Sequence, residues 1–325
     1  MGVVAGIQRY LCHACGRSFR NTRKPSRRRS ALWRAFLTNR SIVSQLAEYY
    51  GHSVHWIRKE LRAYELPKPL IIPDKIVAII DCVFFKRSRG YLVVRDAHNG
   101  SNVYWNEIES ETINEYQCAR DTLGGQGFSL KAVVIDGRPG VRKLFADLPV
   151  QMCQFHQKAI ITRYLTRRPK LEAGKELREI VHILCNTNER TFADAIDMWH
   201  QKWNEFLKER TVESVTRRWH YTHKRLRSAY HSLRSNLPYL FTYQKHPELN
   251  IPNTTNSLDG TFAHLKGLIQ IHRGLKIDLK RKLILSILQN RHRKKVIMPL
   301  FSSAIHLASF LDWTILYLIF LQDRN

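Results

Sequence analysis

The chain has 325 residues, 44% of them hydrophobic, which is enough for two or three domains with sizeable cores. Lysine and arginine total 53 against 27 aspartates and glutamates, and this formal charge of +26 favours nucleic acid as the partner, ahead of an acidic membrane surface or ribosome-like packaging. Six scattered cysteines and no secretory signal at the start exclude a disulfide-dense secreted scaffold, so we expect a reducing cytoplasm.

Residues 1–30 are basic, and their composition predicts a loop. Cys12 and Cys15 form a C-x2-C pair in "RYLCHACGRSF", which supplies two of the four ligands of a structural zinc site. His13 could contribute another ligand, but no second cysteine pair precedes the first. The pair therefore fits either a zinc site or an unliganded half-site.

Residues 31–66 are predicted to form a helix-turn-helix, because apolar residues recur at helical spacing in two short segments. Gly51 interrupts this spacing, and Ser53 can cap the second helix. Ala47 and Ile57 fall where the motif needs a small residue and a buried aliphatic one.

The first of these helices is expected to carry Ile42, Leu46 and Tyr49 on one face. The second would present a basic face to the major groove of DNA. Together with the arginine run before the motif, the predicted DNA contacts are Arg27, Arg28, Arg29, His55, Arg58, Lys59 and Arg62. The alternative is an ordinary helical hairpin with a solvated basic face.

After three prolines that mark a linker, the hydrophobic pattern changes to that of strands. The run "IVAIIDCVFF" predicts a strand covered on both faces, and "GYLVVRDAHNGSNVYWNEI" predicts two more around an Asn-Gly turn. A helix at 112–125, a strand in "LKAVVIDGRPG", a short helix at 139–147 and a fifth strand in "VQMCQFHQK" follow. This order predicts an α/β fold with a mixed sheet and helices on its faces, with a helical segment at about 157–250.

Two carboxylates interrupt the predicted strands, since Asp81 lies within "AIIDCVF" and Asp136 ends "VVIDG". Burying a carboxylate is costly unless it is paired or binds a metal, although a single one is more often a hydrogen-bonded structural group. Asp259 opens a later helix, where it could complete an oxygen cage for Mg2+ or simply suit the helix dipole. Asp96 is a rival acid that precedes a turn, where aspartate is common.

Taken in this order, the motifs of residues 76–295 resemble the RNase H-like DDE transposases of bacterial insertion sequences, which are related to Mutator-like element transposases. The matching features are the strand aspartate of "IIDCVFF", the "VIDG" strand end, the C-x2-H of "CQFH", a helical insertion and the "TTNSLDGTFAHLK" helix. The N-terminal "RYLCHACGRSF" resembles the second half of a zinc ribbon often joined to such enzymes.

The resemblance implies an RNase H-like catalytic domain at 67–295 that cleaves the ends of a mobile element and transfers them to target DNA. It implies Asp81, Asp136 and Asp259 as catalytic ligands of Mg2+ or Mn2+, although related enzymes usually have glutamate at the third position. Element-end and target DNA, a homo-oligomer on DNA and a nucleoid-associated cytoplasmic location are expected with it. Lys266, on the same side of the helix as the third acid, is expected to meet a phosphate.

Cys153 and His156 match the C-x2-H of the family. They could bind zinc, brace the active site or help to hold DNA, and the alternative is a buried thiol beside a hydrogen-bonded histidine at a strand end. We expect them to support the structure near the site.

Residues 296–325 form an apolar tail, which is either a buried or oligomerising helix or a segment foreign to the family pattern. Its length permits a membrane span, but Asp312 would be unfavourable there. A buried or oligomerising helix is therefore preferred to membrane insertion.

Two other functions stay open at this point. A catalytically inactive DNA-binding derivative of a transposase is favoured by the shortened zinc ribbon, by Asp259 and by the tail. An RNase H-like nuclease without strand transfer is the other.

Overall fold

A computed structural model of the chain describes residues 3–4, 7–20, 25–38, 41–69, 71–86 and 89–290. The apolar tail at 296–325 lies outside the described residues, so the helix expected there stays a prediction. Within the described ranges, no helix combines the length and the apolar character that crossing a membrane requires.

The chain begins with a small antiparallel sheet of three strands, β1 (Val3–Val4), β2 (Ile7–Leu11) and β3 (Ser18–Arg20). The prediction of a loop is therefore wrong at these strands. Antiparallel pairing between neighbouring segments forms a sheet here, although the composition is basic. Three helices follow, α1 (Pro25–Thr38), α2 (Val43–Tyr50) and α3 (Val54–Ala63). Helix α1 crosses the domain boundary predicted between residues 30 and 31.

The turn between α2 and α3 has the chemistry expected from the sequence. Gly51 adopts a φ of 63° and ends α2, and the Ser53 hydroxyl accepts a hydrogen bond from the Trp56 N–H at 3.2 Å. The predicted apolar face of α2 is wrong in two positions, because Ile42 is 42% exposed and Tyr49 is 82% exposed. Ile42 precedes the helix, so helical spacing does not apply to it, and the buried face is formed instead by Val43, Leu46 and Ala47.

A mixed sheet of five strands follows, composed of β4 (Lys75–Lys86), β5 (Arg89–Asp96), β6 (Asn102–Ile108), β7 (Ser129–Ile135) and β8 (Val150–Met152). Its order is β6-β5-β4-β7-β8. Strand β4 runs antiparallel to β5 and parallel to β7, and β8 runs parallel to β7. The predicted α/β class with a mixed sheet is confirmed.

The predicted fifth strand is shorter than expected. Pairing with β7 ends at Met152, and a helix begins at Gln154, so His156 lies in a first helical turn rather than at a strand end. The reason is that β8 is an edge strand with one partner, and the chain leaves the sheet where that partner ends.

The other helices are α4 (Ile113–Gly125), α5 (Pro139–Leu144), α6 (Gln154–Leu165), α7 (Glu172–His182), α8 (Glu189–Lys208), α9 (Lys224–Leu240), α10 (Thr242–Lys245), α11 (Asn256–Ile271) and α12 (Ile277–Asn290). A two-stranded hairpin, β9 (Arg210–Val212) and β10 (Trp219–Tyr221), and short 3-10 turns at Ile183–Asn186 and Pro247–Leu249 interrupt the predicted helical segment. That segment is otherwise helical, as predicted.

Hydrophobic clusters cover both faces of the five-stranded sheet. Helices α4 and α5 pack on one face, where Tyr116 and Phe145 are buried against Ile80. Helices α11 and α12 pack on the other, where Leu258 and Leu288 join the core. The far end of α11 and the start of α12 also pack against α1, α2 and α3, so α11 connects the N-terminal helices to the sheet.

Candidate metal centre

Asp81 is positioned by the alternation of side chains along β4. Val77 and Ile79 face the side of the sheet that α11 covers, and Asp81 has the same parity. Cys82 points to the opposite side, where its sulfur lies 3.8 Å from the Tyr116 hydroxyl. The Asp81 side chain is half-buried, and its Oδ1 accepts a hydrogen bond from the Cys82 N–H at 2.7 Å.

Asp259 is positioned by the first turns of α11. Leu258, Phe262 and Leu265 are buried against the sheet, which fixes the rotation of the helix and leaves Asp259 half-buried at the edge of this apolar face. The Thr255 hydroxyl donates a hydrogen bond to Asp259 Oδ2 at 3.2 Å. Thr255 directly precedes the helix, and its side chain makes no capping bond to the backbone but contacts the carboxylate instead.

A buried arginine holds the start of α11 against the sheet. Arg95 of β5 is fully buried, and its guanidinium donates to the Asn102 side chain at 2.8 Å, to the Thr261 hydroxyl at 3.0 Å and to the Ser257 carbonyl. Ser257 and Thr261 are one helical turn apart and lie on the same face of α11, so these contacts fix the first turns of the helix against β5. The sequence analysis missed Arg95, and its only signal was a charged residue inside the apolar run "YLVVRDA".

His156 is positioned by contacts that tie the start of α6 to the start of α11. The sulfur of Cys153 accepts a hydrogen bond from the Thr255 N–H at 3.3 Å and lies 3.4 Å from the Thr255 hydroxyl oxygen. The Gln154 N–H donates to the Asn253 carbonyl at 2.9 Å, and Asn253 Nδ2 donates to Gln154 Oε1 at 3.0 Å. Because His156 follows in the first turn of α6, these bonds carry its imidazole toward the carboxylate of α11.

Asp81, His156 and Asp259 together form a group that could hold a metal ion. Each offers one ligand atom, and the three atoms lie within 4.8 Å of one another. All three residues are half-buried, and His156 Nδ1 is buried without a hydrogen-bond partner among the residues that the structure describes. Two carboxylates beside an imidazole nitrogen are a suitable donor set for a divalent cation.

Asp136 lies beside this group rather than within it. It follows the last residue of β7, and its Oδ1 accepts a hydrogen bond from the Arg138 N–H at 3.1 Å. Gly137 makes the turn with a φ of 93°, and a side chain at that position would collide with Met152. The charge of Asp136 contributes to raising the pKa of Asp81, so the two carboxylates interact. Of the three predicted acids, Asp81 and Asp259 thus form a close pair, and Asp136 lies at the border of that pair.

The electrostatics of the group follow from burial and from its neighbours. Burial raises the pKa of Asp81 to about 7, with further contributions from the charges of Asp259 and Asp136 and an opposing one from His156. The adjacent Cys153 side chain raises the pKa of His156 to about 9, burial opposes this, and the two nearest carboxylates add to it. Without a metal, the imidazole therefore supplies positive charge between the acids at neutral pH.

Metal binding to this group should strengthen as the pH rises. Asp81, with a pKa of about 7, carries its proton at about pH 6, and this proton must leave before the carboxylate can coordinate a metal. Between about pH 6 and about pH 8 the loss of the Asp81 proton alone should raise the apparent affinity about tenfold. Calorimetric titration with Mn2+ in buffers of different ionisation enthalpy would measure both the affinity and the protons released. Equal affinities at the two pH values would contradict the assignment of Asp81 as a ligand.

Asp96, the rival acid, starts the turn between β5 and β6. Its side chain is buried, and its Oδ1 accepts a hydrogen bond from the His98 N–H at 3.0 Å. Its backbone N–H and carbonyl also bond across the turn, to Ser101 and Gly100. These contacts give Asp96 the turn-forming role that aspartate commonly has.

Cys12 and Cys15 lie in the turn between β2 and β3. The turn is closed by a bond of 2.8 Å from the Gly16 N–H to the Cys12 carbonyl, and hydrogen bonds with Cys15 lower the pKa of the Cys12 thiol. No third metal-binding side chain joins the pair in the described part of the chain. A zinc half-site therefore stays a prediction.

Several of the predicted DNA contacts also pair within the protein. Arg28 lies 4.4 Å from the centre of the Trp56 ring and bonds to His52, and Arg29 pairs with Glu60 at 2.9 Å. These two arginines brace α1 against the following helices. Arg62 is exposed and lies 3.4 Å from Asp278, and the other exposed members are Arg27, Arg28, His55, Arg58, Lys59 and Lys266.

A polar network that the sequence analysis also missed lies near Asp136. Glu111 accepts a hydrogen bond from the Tyr116 hydroxyl at 2.8 Å and pairs with Arg138 at 3.3 Å. Arg138 also donates to the Glu111 carbonyl at 2.6 Å, which holds the turn after β7. Glu111 lies in the acidic stretch "NEIESETINE", whose composition resembles an ordinary solvated loop.

Comparison with known proteins assigns no family to the chain. No protein-family model matches it, and neither does any curated protein. The geometry of the site and the resemblance of its motifs are therefore the basis for a functional conclusion.

Proposed function

We propose that this protein is a DDE-type transposase, which uses a divalent metal to cleave DNA strands and to join the freed 3′ ends to target DNA. The observation that carries this proposal is the half-buried Asp81, His156 and Asp259 group, whose ligand atoms lie within 4.8 Å of one another. The chain around it has a formal charge of +26, which would attract DNA to a locally acidic centre.

The arrangement of the acids in the sheet supports the proposal. Asp81 lies within β4, and Asp136 directly follows β7, the parallel neighbour of β4. A mixed sheet of this kind is compatible with the RNase H-like fold that the resemblance implies. Asp259 then reaches the same region from a helix that covers one face of the sheet.

The residues of the site have distinct tasks in this reaction. A bound Mg2+ or Mn2+ would activate water or a DNA 3′-hydroxyl and stabilise the leaving oxygen. Asp81 and Asp259 provide oxygen ligands from a strand and a helix, and Asp136 extends the acidic surface. The Thr255 hydroxyl orients the Asp259 carboxylate, and Arg95 holds the helix that carries it.

A basic groove on the surface would contact the phosphate backbone of the DNA duplex. It lies between α3 and the loop that joins α11 to α12, and it has a volume of about 710 Å³. Its lining residues are His55, Arg58, Lys59, Arg62, Ala63, Gly274, Leu275, Lys276 and Leu279. The α3 side holds four of the predicted DNA contacts, and Lys276 adds a cation that the sequence analysis did not identify. Because α11 also carries Asp259, one helix would connect bound DNA to the metal centre.

Neutralising Arg58 and Arg62 together should weaken DNA binding and reduce its dependence on salt. Each phosphate that is no longer neutralised should lower the slope of log affinity against log salt by about 0.9, so the slope of the double glutamine variant should fall by about 1.8. Fluorescence anisotropy with a labelled duplex over a series of salt concentrations would give both slopes. Arg190→Gln, which changes an exposed arginine of α8, is the control for the loss of one positive charge elsewhere on the surface. An unchanged slope in the double variant would remove α3 from the DNA interface.

The direct test of the function uses the full chain and a labelled duplex with the DNA ends that flank its coding region. With Mn2+ or Mg2+ we expect a nicked strand and then a longer product in which the labelled 3′ end is joined to target DNA. Binding without nicking would favour the inactive derivative. Nicking without joining would favour a nuclease that lacks strand transfer.

A further inference from the structure

The metal centre contains a nitrogen donor that a magnesium site built from carboxylates lacks. One imidazole nitrogen of His156 lies within 4.8 Å of a carboxylate oxygen of Asp81 and of one from Asp259. Mg2+ binds oxygen ligands and retains several waters, whereas imidazole nitrogen is a ligand of first-row transition ions. The identity of the third donor therefore bears on which metal the protein selects.

The contacts around His156 hold it toward the carboxylates. Its Nδ1 is buried and has no hydrogen-bond partner among the described residues. The Thr255 hydroxyl lies 3.4 Å from Cys153 Sγ and 3.2 Å from Asp259 Oδ2, so one side chain links the C-x2-H turn to the third acid. The Cys153 sulfur also accepts the Thr255 N–H, which gives the cysteine an orienting role. Such outer contacts commonly fix the direction of metal ligands.

We propose that His156 coordinates the metal directly, and that the centre formed by Asp81, His156 and Asp259 selects a first-row transition ion such as Mn2+ over Mg2+. This inference deepens the proposed function and rests on it only for the use of the metal in DNA cleavage. The competing arrangement keeps His156 as a cation that pairs with the carboxylates and leaves the metal to oxygen ligands alone.

Pulsed electron paramagnetic resonance of the full chain with Mn2+ and without DNA distinguishes the two arrangements. Direct coordination should give a nitrogen hyperfine coupling that changes to the 15N pattern when the histidines are labelled with 15N. His156→Gln should remove the coupling. His182→Gln, which changes an exposed histidine of α7, should leave it unchanged.

Competition between the two ions tests the selectivity. The parent should bind Mn2+ at least about tenfold more tightly than Mg2+, and His156→Gln should lose most of that difference by weakening the binding of Mn2+. If the variant does not fold, histidine labelling of the parent and its Mn2+/Mg2+ ratio still decide the question. A bound Mn2+ without histidine coupling, equal affinities for the two ions, or no Mn2+ binding would each overturn the proposal.

The outcome is separable from that of the proposed function. A chain that nicks and joins DNA but shows no histidine coupling would keep the transposase proposal and lose this one. A chain with clear histidine coupling but no cleavage of its flanking DNA would support coordination by His156 and contradict the transposase proposal.

Discussion

Asp81→Asn is expected to abolish metal-dependent DNA nicking while DNA binding persists. The substitution keeps an oxygen that can accept the Cys82 N–H, which donates to Asp81 at 2.7 Å, so the strand should be preserved. It removes the negative charge that holds the cation. Removing a residue that only supports a metal ligand already costs about 10–100-fold, so removing a direct ligand should reduce nicking by at least about a thousandfold. A labelled-strand nicking assay in Mn2+ or Mg2+ would measure this.

The same assay ranks the other acids. Asp136→Asn and Asp259→Asn should also lose nicking by orders of magnitude, whereas Asp259→Glu should retain or improve it, because the transposases that the motifs resemble usually have glutamate there. Asp96→Asn is the matched control, since asparagine can keep the bond from the His98 N–H. If Asp259→Asn nicks like the parent while Asp81→Asn is inactive, the α11 carboxylate is not the third ligand.

Asp81→Asn should also stabilise the metal-free protein, and the increase in its free energy of unfolding over the parent should become larger as the pH rises. Burial raises the folded-state pKa of Asp81 from 3.8 to about 7, so the folded state holds the proton more tightly than the unfolded state does. For an acid shifted upward, the free energy of unfolding falls as the pH rises from the unfolded to the folded pKa. A difference of one in pKa corresponds to about 1.4 kcal/mol, so the advantage of Asp81→Asn should increase by roughly 2–3 kcal/mol between about pH 5 and pH 8.

Denaturant unfolding with a chelator present, at both pH values, would measure this advantage. Asp194→Asn, which changes an exposed aspartate of α8, should alter stability by no more than about 0.5 kcal/mol. The result to look for is a difference between Asp81→Asn and the parent that widens with pH. A difference that stays constant or narrows would mean that burial does not raise the pKa of this carboxyl.

The two predictions describe the same carboxylate with opposite effects. In the metal-free protein the Asp81 carboxylate destabilises the fold, and a neutral amide in its place would be more stable. Such a residue is expected at a position selected for function rather than for folding. If both results are obtained, Asp81 is a functional group held in a costly position. Metal binding would then offset that cost in the loaded protein.

Much of the fold is encoded locally and was predictable. Alternation and apolar runs predicted the strand that carries Asp81 and the strand that ends just before Asp136, and the Asn-Gly pair predicted the turn between β5 and β6, where Gly100 has a φ of 71°. Gly51 and Ser53 act as predicted between α2 and α3. Each of these features depends on residues a few positions apart, which is why a pattern in the sequence reveals them.

By itself, the sequence determined the strand that carries Asp81, the strand end at Asp136 and the helix that opens around Asp259, because each follows from local hydrophobic period. Only the tertiary structure decided that His156 joins the close group and that Asp136 lies at its border. The bond from Thr255 to Cys153 spans 102 residues, and the bond from Arg95 to Ser257 spans 162. Side chains so far apart in the chain are not linked by any repeating hydrophobic pattern in the sequence. Their positions are set by how α6 and α11 pack against the sheet.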